Sequence, residues 1–487
     1  MYNHKRFHPL ALVIRFFESI TSILGALIAG IIGIFSGHFW LLLFPIIYIS
    51  VEVISYMTTY YTVDEQNVTI QKGLINKSTT VIPYDRIQTV RQSQWFFLAP
   101  FDLTTVNIET AGGSDSKSEG VLTVVPIAVF DLIESYRSQE APVKTATQSS
   151  SEVNQTDGDA TATKPQFKKL PASHILLFAI TNLNILASSA VIAGLGGRFL
   201  NHAGSKLNSE VSRVIFSSVA YIALSIFGVL LLGFIYSLIR TLLTYYDFRI
   251  ARTGNTLVIK SGLLKEKTQQ IPLHKIQNVQ VKKHPIRRLF GFSSILVYVY
   301  SGQDKQSKED SSNNHTYLFP IIKNAEVYPF LATYLPEWQL HSPKITLLTQ
   351  NRLWYFVRWT LLVIGILAVL EIIFWQVVPI WVVGLVILFF ALVLLDEYLE
   401  AKGQGYGFSQ SRFICIQRYH LFTKEINFLD KNKVQNVTQR TTPLLYHRQK
   451  IGHIKLPVKM NNDHGDQLKL RFIPIKVIQE IRDFYEQ

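Results

Sequence analysis

The chain has one cysteine, Cys415, among 487 residues, so neither an intrachain disulfide nor a thiolate metal cage is available to it. Cys415 lies in "RFICIQR", where the alternation is that of a strand, and it is expected as buried filler rather than a nucleophile. The 13 histidines form no H-E-x-x-H, and no glycine-rich loop ends in Lys-Ser or Lys-Thr. "GQGYG" from Gly403 follows an apolar helix rather than a strand, which makes it a hinge and not a phosphate cradle. Acidic residues are scarce too, 34 Asp and Glu against 48 Lys and Arg, for a formal charge of +14. No catalytic residue, metal or cofactor is therefore expected, and the chain reads as no enzyme.

What is abundant is apolar sequence. A bilayer-crossing helix needs about 20 mostly apolar residues, and six windows qualify, near 10–35, 38–58, 174–197, 213–239, 355–375 and 377–395. They fall in pairs. A soluble helix is seldom apolar on every face for that length, so three transmembrane hairpins are expected. Lys5 and Arg6 before the first window favour a cytoplasmic N-terminus. Even pairing then puts both termini and all three stretches that follow the hairpins on that side of the membrane. Thr181, Asn182 and Asn184 in the third window are polar groups suited to bonding a neighbouring helix.

Between the hairpins the sequence repeats itself. "IPYDRIQTVR" from Ile82 returns as "IPLHKIQNVQ" from Ile271 and as "LDKNKVQNVT" from Leu429. Gly73, Pro83 and Gln88 keep the spacing of Gly262, Pro272 and Gln277. The third copy retains Gln435 but has His420 and Asp430 where the others have glycine and proline. Each unit closes on a "PI" segment, at Pro126, Pro320 and Pro474, with apolar residues at helical spacing after it. Proline suits the first turn of such a helix. The runs "TLVIKSG" and "SILVYVYS" alternate like strands, and Gly262 supplies a turn conformation.

These motifs, on three hairpin-plus-strand cassettes, resemble the bacterial pleckstrin-homology-like membrane proteins of the YdbS/YdbT type. The resemblance implies a membrane α plus β fold: six transmembrane helices in three hairpins, each followed by a small PH-like β-barrel or sandwich domain with a C-terminal helix. The expected divisions are hairpin 1 at 1–58, PH-like domain 1 at 59–137, a linker rich in Ser, Thr, Gln and Ala at 138–172, and hairpin 2 at 173–241. PH-like domain 2 follows at 242–340, hairpin 3 at 341–400 and the divergent domain 3 at 401–487. No catalytic residues come with the family.

Charge separates the repeats. Residues 64–109 hold four Lys/Arg and five Asp/Glu, a balance of −1; residues 249–288 hold ten and one, and residues 402–459 eleven and two, each +9. Basic domains tethered to a bilayer are drawn to anionic lipid. Lys282, Lys283, Arg287 and Arg288, flanking Pro285 and Leu289, are the expected headgroup-binding cluster. The expected partners are the bilayer with its anionic headgroups and other membrane proteins of the family or further copies of this chain. Nucleic acid is not expected, since no recognised binding motif accompanies the basic residues. The reading is a scaffold for protein or anionic lipid, with a transporter as the alternative.

Overall fold

The computed structural model describes residues 2–18, 43–73, 77–110, 120–140, 167–181, 189, 194, 219–299, 315–348, 352–373, 380–409, 412–434, 436–443, 445–456 and 468–486. Gln435 and most of the linker lie outside them, as do parts of all six expected spans. Among the described residues three helical segments are long and apolar enough to cross a membrane: Leu224–Tyr245, Leu353–Ile373 and Val382–Gly403.

The first repeat opens with β1 (Tyr2–Arg6), α1 (Leu10–Glu18) and α2 (Leu43–Met57). β2 (Tyr60–Val63), β3 (Asn67–Lys72) and β4 (Ser78–Pro83) follow, and a 3-10 turn at Tyr84–Arg86 leads to β5 (Ile87–Trp95), β6 (Leu103–Thr110), β7 (Gly120–Pro126) and α3 (Ile127–Glu140). Period-two alternation puts Tyr61, Val63, Val68 and Ile70 on one face of the sheet β1-β2-β3-β4, packed against Val90, Val106 and Ile108 of the second half. Val129, Phe130 and Ile133 of α3 join the same core, and so do Phe7, Ala11 and Ile14. The base of the first apolar helix is thus part of the sandwich interior, pinned further by Tyr56 Oη donating to the Phe7 carbonyl at 2.9 Å.

In the second repeat β8 (Lys168–Lys169), α4 (Ala172–Ile180) and α5 (Val219–Tyr245) precede β9 (Arg249–Thr253), β10 (Thr256–Ser261) and β11 (Lys265–Pro272). After the turn Leu273–Lys275 come β12 (Ile276–Lys283), the short α6 (Pro285–Leu289), β13 (Phe292–Val299), β14 (His315–Lys323) and α7 (Val327–Tyr334). The third comprises β15 (Thr346–Leu347), α8 (Leu353–Ile373), α9 (Ile380–Gly403), β16 (Gly405–Ser409), β17 (Phe413–His420), β18 (Thr423–Asp430), β19 (Thr438–Arg440), β20 (Ile451–Leu456), β21 (Leu468–Pro474) and α10 (Ile475–Glu486). Its core joins Ile414, Ile416 and Leu429 to Ile454, Leu470 and Ile478.

The repeats are not separate barrels. The last three strands of the first repeat and the first four of the second form one seven-stranded sheet, β7-β6-β5-β11-β10-β9-β8. The same happens one step on, in β14-β13-β12-β18-β17-β16-β15. The chain divides into two compact units whose segments interleave. β1–β7 and β9–β11 fall in the first, and α4, α5 and β12–β21 in the second.

Motif residues act as their chemistry requires. Gly73 and Gly262 adopt φ of 102° and 120°, a region that side chains disfavour. In the third repeat Leu421 and Phe422 make the turn at φ 46° and 61°, and the Phe422 N–H donates to Asp396 Oδ1 at 2.7 Å. Asp430 substitutes for proline by capping: its Oδ1 accepts from the Asn432 N–H at 3.1 Å. The "PI" prolines differ from expectation. Pro126 and Pro474 end their strands and the helices start one residue later, while Pro320 lies within β14 and α7 begins only at Val327.

A Cβ on Gly262 would stand 2.1 Å from the Lys265 carbonyl oxygen, whereas one on Gly254, φ 56°, meets nothing. Gly262→Ala is expected to cost upwards of about 2 kcal/mol, and Gly254→Ala about 1 kcal/mol. Thermal melting in detergent checks this; equal midpoints would contradict it.

Candidate functional site

The basic cluster does not form one open patch. Arg287 is 4% exposed. Its guanidinium carbon stands 4.3 Å from the centroid of the Phe178 ring, Nε donates to Thr181 Oγ1 at 2.8 Å, and Nη1 donates to Ser294 Oγ at 2.6 Å. Burial lowers its pKa below the usual value, yet an arginine stays charged. Phe178 and Thr181 end α4, so Arg287 clamps α4 to β13. Arg287 therefore leaves the expected lipid set, because a headgroup cannot reach it. Thr181 likewise serves this clamp and its own helix, donating to the Leu177 carbonyl at 2.7 Å. Lys282 pairs with Glu425 at 3.5 Å, and Glu425 is also held by Arg418 at 2.8 Å.

Lys283 and Arg288 are placed differently. Lys283 stands directly across the β12–β18 ladder from Lys424, and Arg288 Nη1 donates to Tyr419 Oη at 3.1 Å. The pKa of Lys283 is lowered, first by burial and then by Arg288; that of Lys424 is lowered by burial, then by Lys283 and Arg288. Three cations thus crowd one end of the joint. Between Lys282 and Arg287, His284 is pushed down to about 4 by burial, Arg287 and Lys282 in that order. Beside the cations the surface is apolar: Leu289 is 86% exposed, Leu421 66% and Phe290 61%.

A second clamp was not among the sequence-flagged residues. Arg352, at the foot of α8, is buried and donates to the carbonyls of Phe472 at 3.0 Å, Ala401 at 3.1 Å and Leu348. Desolvation takes its pKa down to about 10. In sequence it is one arginine before an apolar run, identical in appearance to a topology signal.

The first joint carries a cleft of about 430 Å³ where β5 meets β11, roofed by α3 and Phe167. Gln92, Gln94, Thr268 and Gln270 supply amides and hydroxyls, with Lys260, Glu266 and Asp131 on the same lining. Equivalent places in the second joint, two residues before Asp430 and four after Gln277, are Phe428 and Val281, both buried. One joint is polar and open, the other filled. The cleft offers hydrogen bonds to a small polar molecule. Among the described residues no cluster of three or more His, Cys, Asp or Glu is placed to hold a metal.

Comparison with known proteins follows the repeat. The model of the bacterial PH domain family matches residues 10–141 and 190–327, more than half of the chain. The chain belongs to the bacterial PH domain family. Each match in this bacterial PH domain protein takes in apolar helix sequence as well as strands. The transmembrane protein YdbT of Bacillus subtilis (strain 168) is 26% identical over 358 residues, 69% of this chain and 70% of that protein. No solved structure matches.

Arg287→Ala removes two charge-assisted hydrogen bonds and is expected to cost about 2–3 kcal/mol or more. Arg288→Ala, which loses one bond near the surface, should stay within about 1 kcal/mol. Melting of the two variants in detergent checks the ranking, and the reverse order would return Arg287 to the surface.

Proposed function

We propose that the protein is a non-enzymatic, integral protein of the bacterial cell membrane, crossing it six times in three hairpins and presenting its PH-like repeats and both termini to the cytoplasm. There it serves as a scaffold that engages anionic lipid and protein partners. The observation that carries the lipid part is the end of the second joint. The turn between β17 and β18 bonds to Asp396, seven residues before the helix end at Gly403. At 1.5 Å per residue this is about 10 Å up α9, within the apolar segment Val382–Gly403. Leu421 is therefore carried to the level where that segment meets the headgroups, and the Arg288–Tyr419 bond keeps Leu289 and Phe290 beside it. Apolar side chains enter the interface while Lys283, Lys424 and Arg288 meet phosphate, an arrangement like that of interfacial segments with a basic rim. Burial first, and then the mutual repulsion of the three cations, lowers both lysine pKa values, and an anion among them relieves the repulsion. The lipid-facing set is thus Lys283, Arg288 and Lys424, replacing the four residues of the sequence reading.

A fluorophore sensitive to polarity, attached at Leu421→Cys in the full chain in nanodiscs, is expected to shift to the blue with phosphatidylglycerol more than with phosphatidylcholine. Cys415 stays silent, being buried with its thiol pushed up to about 12. Lys283→Ser with Lys424→Ser should abolish the difference; an unchanged spectrum in both lipids overturns the lipid reading. Orientation has its own check: a cysteine placed within 141–166 is expected to be protected from an impermeant thiol reagent in intact cells, and one at Asn208 to react. The opposite pattern would invert the topology.

A further inference from the structure

The two joints are built in one register. In the first, Gln270, two residues before Pro272, lies opposite Val90, two residues after Gln88. In the second, Phe428, two before Asp430, lies opposite Val279, two after Gln277. A leading half-sheet is therefore joined each time to the trailing half-sheet of the repeat before it. Three repeats make two such joints and leave two halves over. β4, the leading edge of the first repeat, pairs only with β3 among the described residues, and β19, the trailing edge of the third, only with β20.

The leftover edges match each other. Two residues before Pro83 is Val81, and two after Gln435 is Val437. Val81 is 54% exposed, whereas Phe428, its counterpart in a completed joint, is fully buried. Val437 rests half-buried on the core of the third repeat, as Val90 rests in the core of the first. Cross-strand partners share a face of the sheet, so Val81 would cover Val437 as Phe428 covers Val279. β4 reads Ser78-Thr-Thr-Val-Ile-Pro83, without the interior lysine, proline or bulge that blunts an edge meant to stay open. The charge balances, −1 over residues 64–109 and +9 over residues 402–459, set no like-charge repulsion against the contact.

We propose that copies of this chain assemble head to tail, β4 of one adding to β19 of the next with Val81 opposite Val437 and Thr79 opposite Gln439. The sheet then continues from copy to copy as it continues twice within the chain. Such a contact uses two different surfaces, so it closes into a ring or extends as a row.

The test uses full-length chains carrying two different tags, co-expressed and oxidised in their membranes. Thr79→Cys in one and Gln439→Cys in the other is expected to give a disulfide-linked species bearing both tags, lost when either cysteine is omitted. Thr79→Cys with Lys469→Cys, on the outer strand β21 of the same sheet, should give none. Val81→Lys, at an exposed position, is expected to reduce the mass of the unlinked protein in nanodiscs to that of a monomer without changing the lipid-dependent fluorescence at position 421. Several results would overturn the assembly: no mixed species, equal linkage through Lys469→Cys, or a chain with both cysteines linking only to itself. An unchanged mass for Val81→Lys would do the same. Loss of the lipid response alone would leave it standing.

Discussion

A three-stranded half-sheet with a bare edge is the constraint from which this architecture follows. Backbone N–H and C=O groups must find partners, and an open edge recruits whatever strand it meets. Here the partner for β5 is β11 and the partner for β12 is β18. The chain satisfies each edge with the next repeat instead of closing a barrel around itself. Side-chain alternation then has a consequence for the cores. Since Val90 belongs to the core of the first repeat and shares its face with Gln270, Ile271 turns to the opposite face, where it too is buried. In the second joint Leu429 faces the core of the third repeat, while its neighbour Phe428 lies on the other side with Val279. Each long sheet is thus buried on opposite faces at its two ends, which a free-standing domain would not require.

Coupling to the membrane rests on buried cations. Arg287 holds α4 against β13, and Arg352 collects carbonyls from α9, from the segment before α8 and from β21. Each guanidinium presents several donors in a fixed plane, so one side chain ties elements that meet at different angles. A lysine has one point charge and would leave some of these carbonyls without a donor. In the first repeat an apolar wedge does the same work: Phe7 stacks on Tyr61 at 5.1 Å, and Ala11 and Ile14 fill the core below it. All three repeats therefore fix the foot of a helix in or against a sandwich, by two different chemistries.

The repeat, its turns and its closing helices were legible in the sequence because each depends on local rules. Positive φ needs glycine, so Gly73 and Gly262 stood out. Apolar spacing marked the buried face of α10, with Ile478 and Ile481 inward. The joints were not legible, because alternation says that a strand has two faces and nothing about which strand lies beside it. For that reason the expected barrels became shared sheets. The clamps were hidden for a related reason: "KKHPIRR" reads the same whether an arginine points to lipid or into the domain, and only the ring of Phe178, 109 positions earlier than Arg287, decides it. The third repeat looked degenerate by its motif, yet Asp430 and the Leu421–Phe422 turn replace the missing proline and glycine by other means.

The two joints share a register but not a filling, and the difference assigns them different mechanical roles. Phe428 and Val281 pack one face of the second joint, and on the other face buried Asn278 and Gln280 both donate to Asn427 Oδ1, so opening it would lose apolar contact and an amide network together. The first joint keeps glutamines and threonines around its cleft, groups that exchange partners with water at little net cost. In an array stabilised mainly between neighbours, the weakest interface sets where the chain opens. The β5–β11 joint has the less apolar packing to lose, its cleft being lined by Gln92, Thr268 and Gln270 where the second joint is filled by Phe428 and Val281.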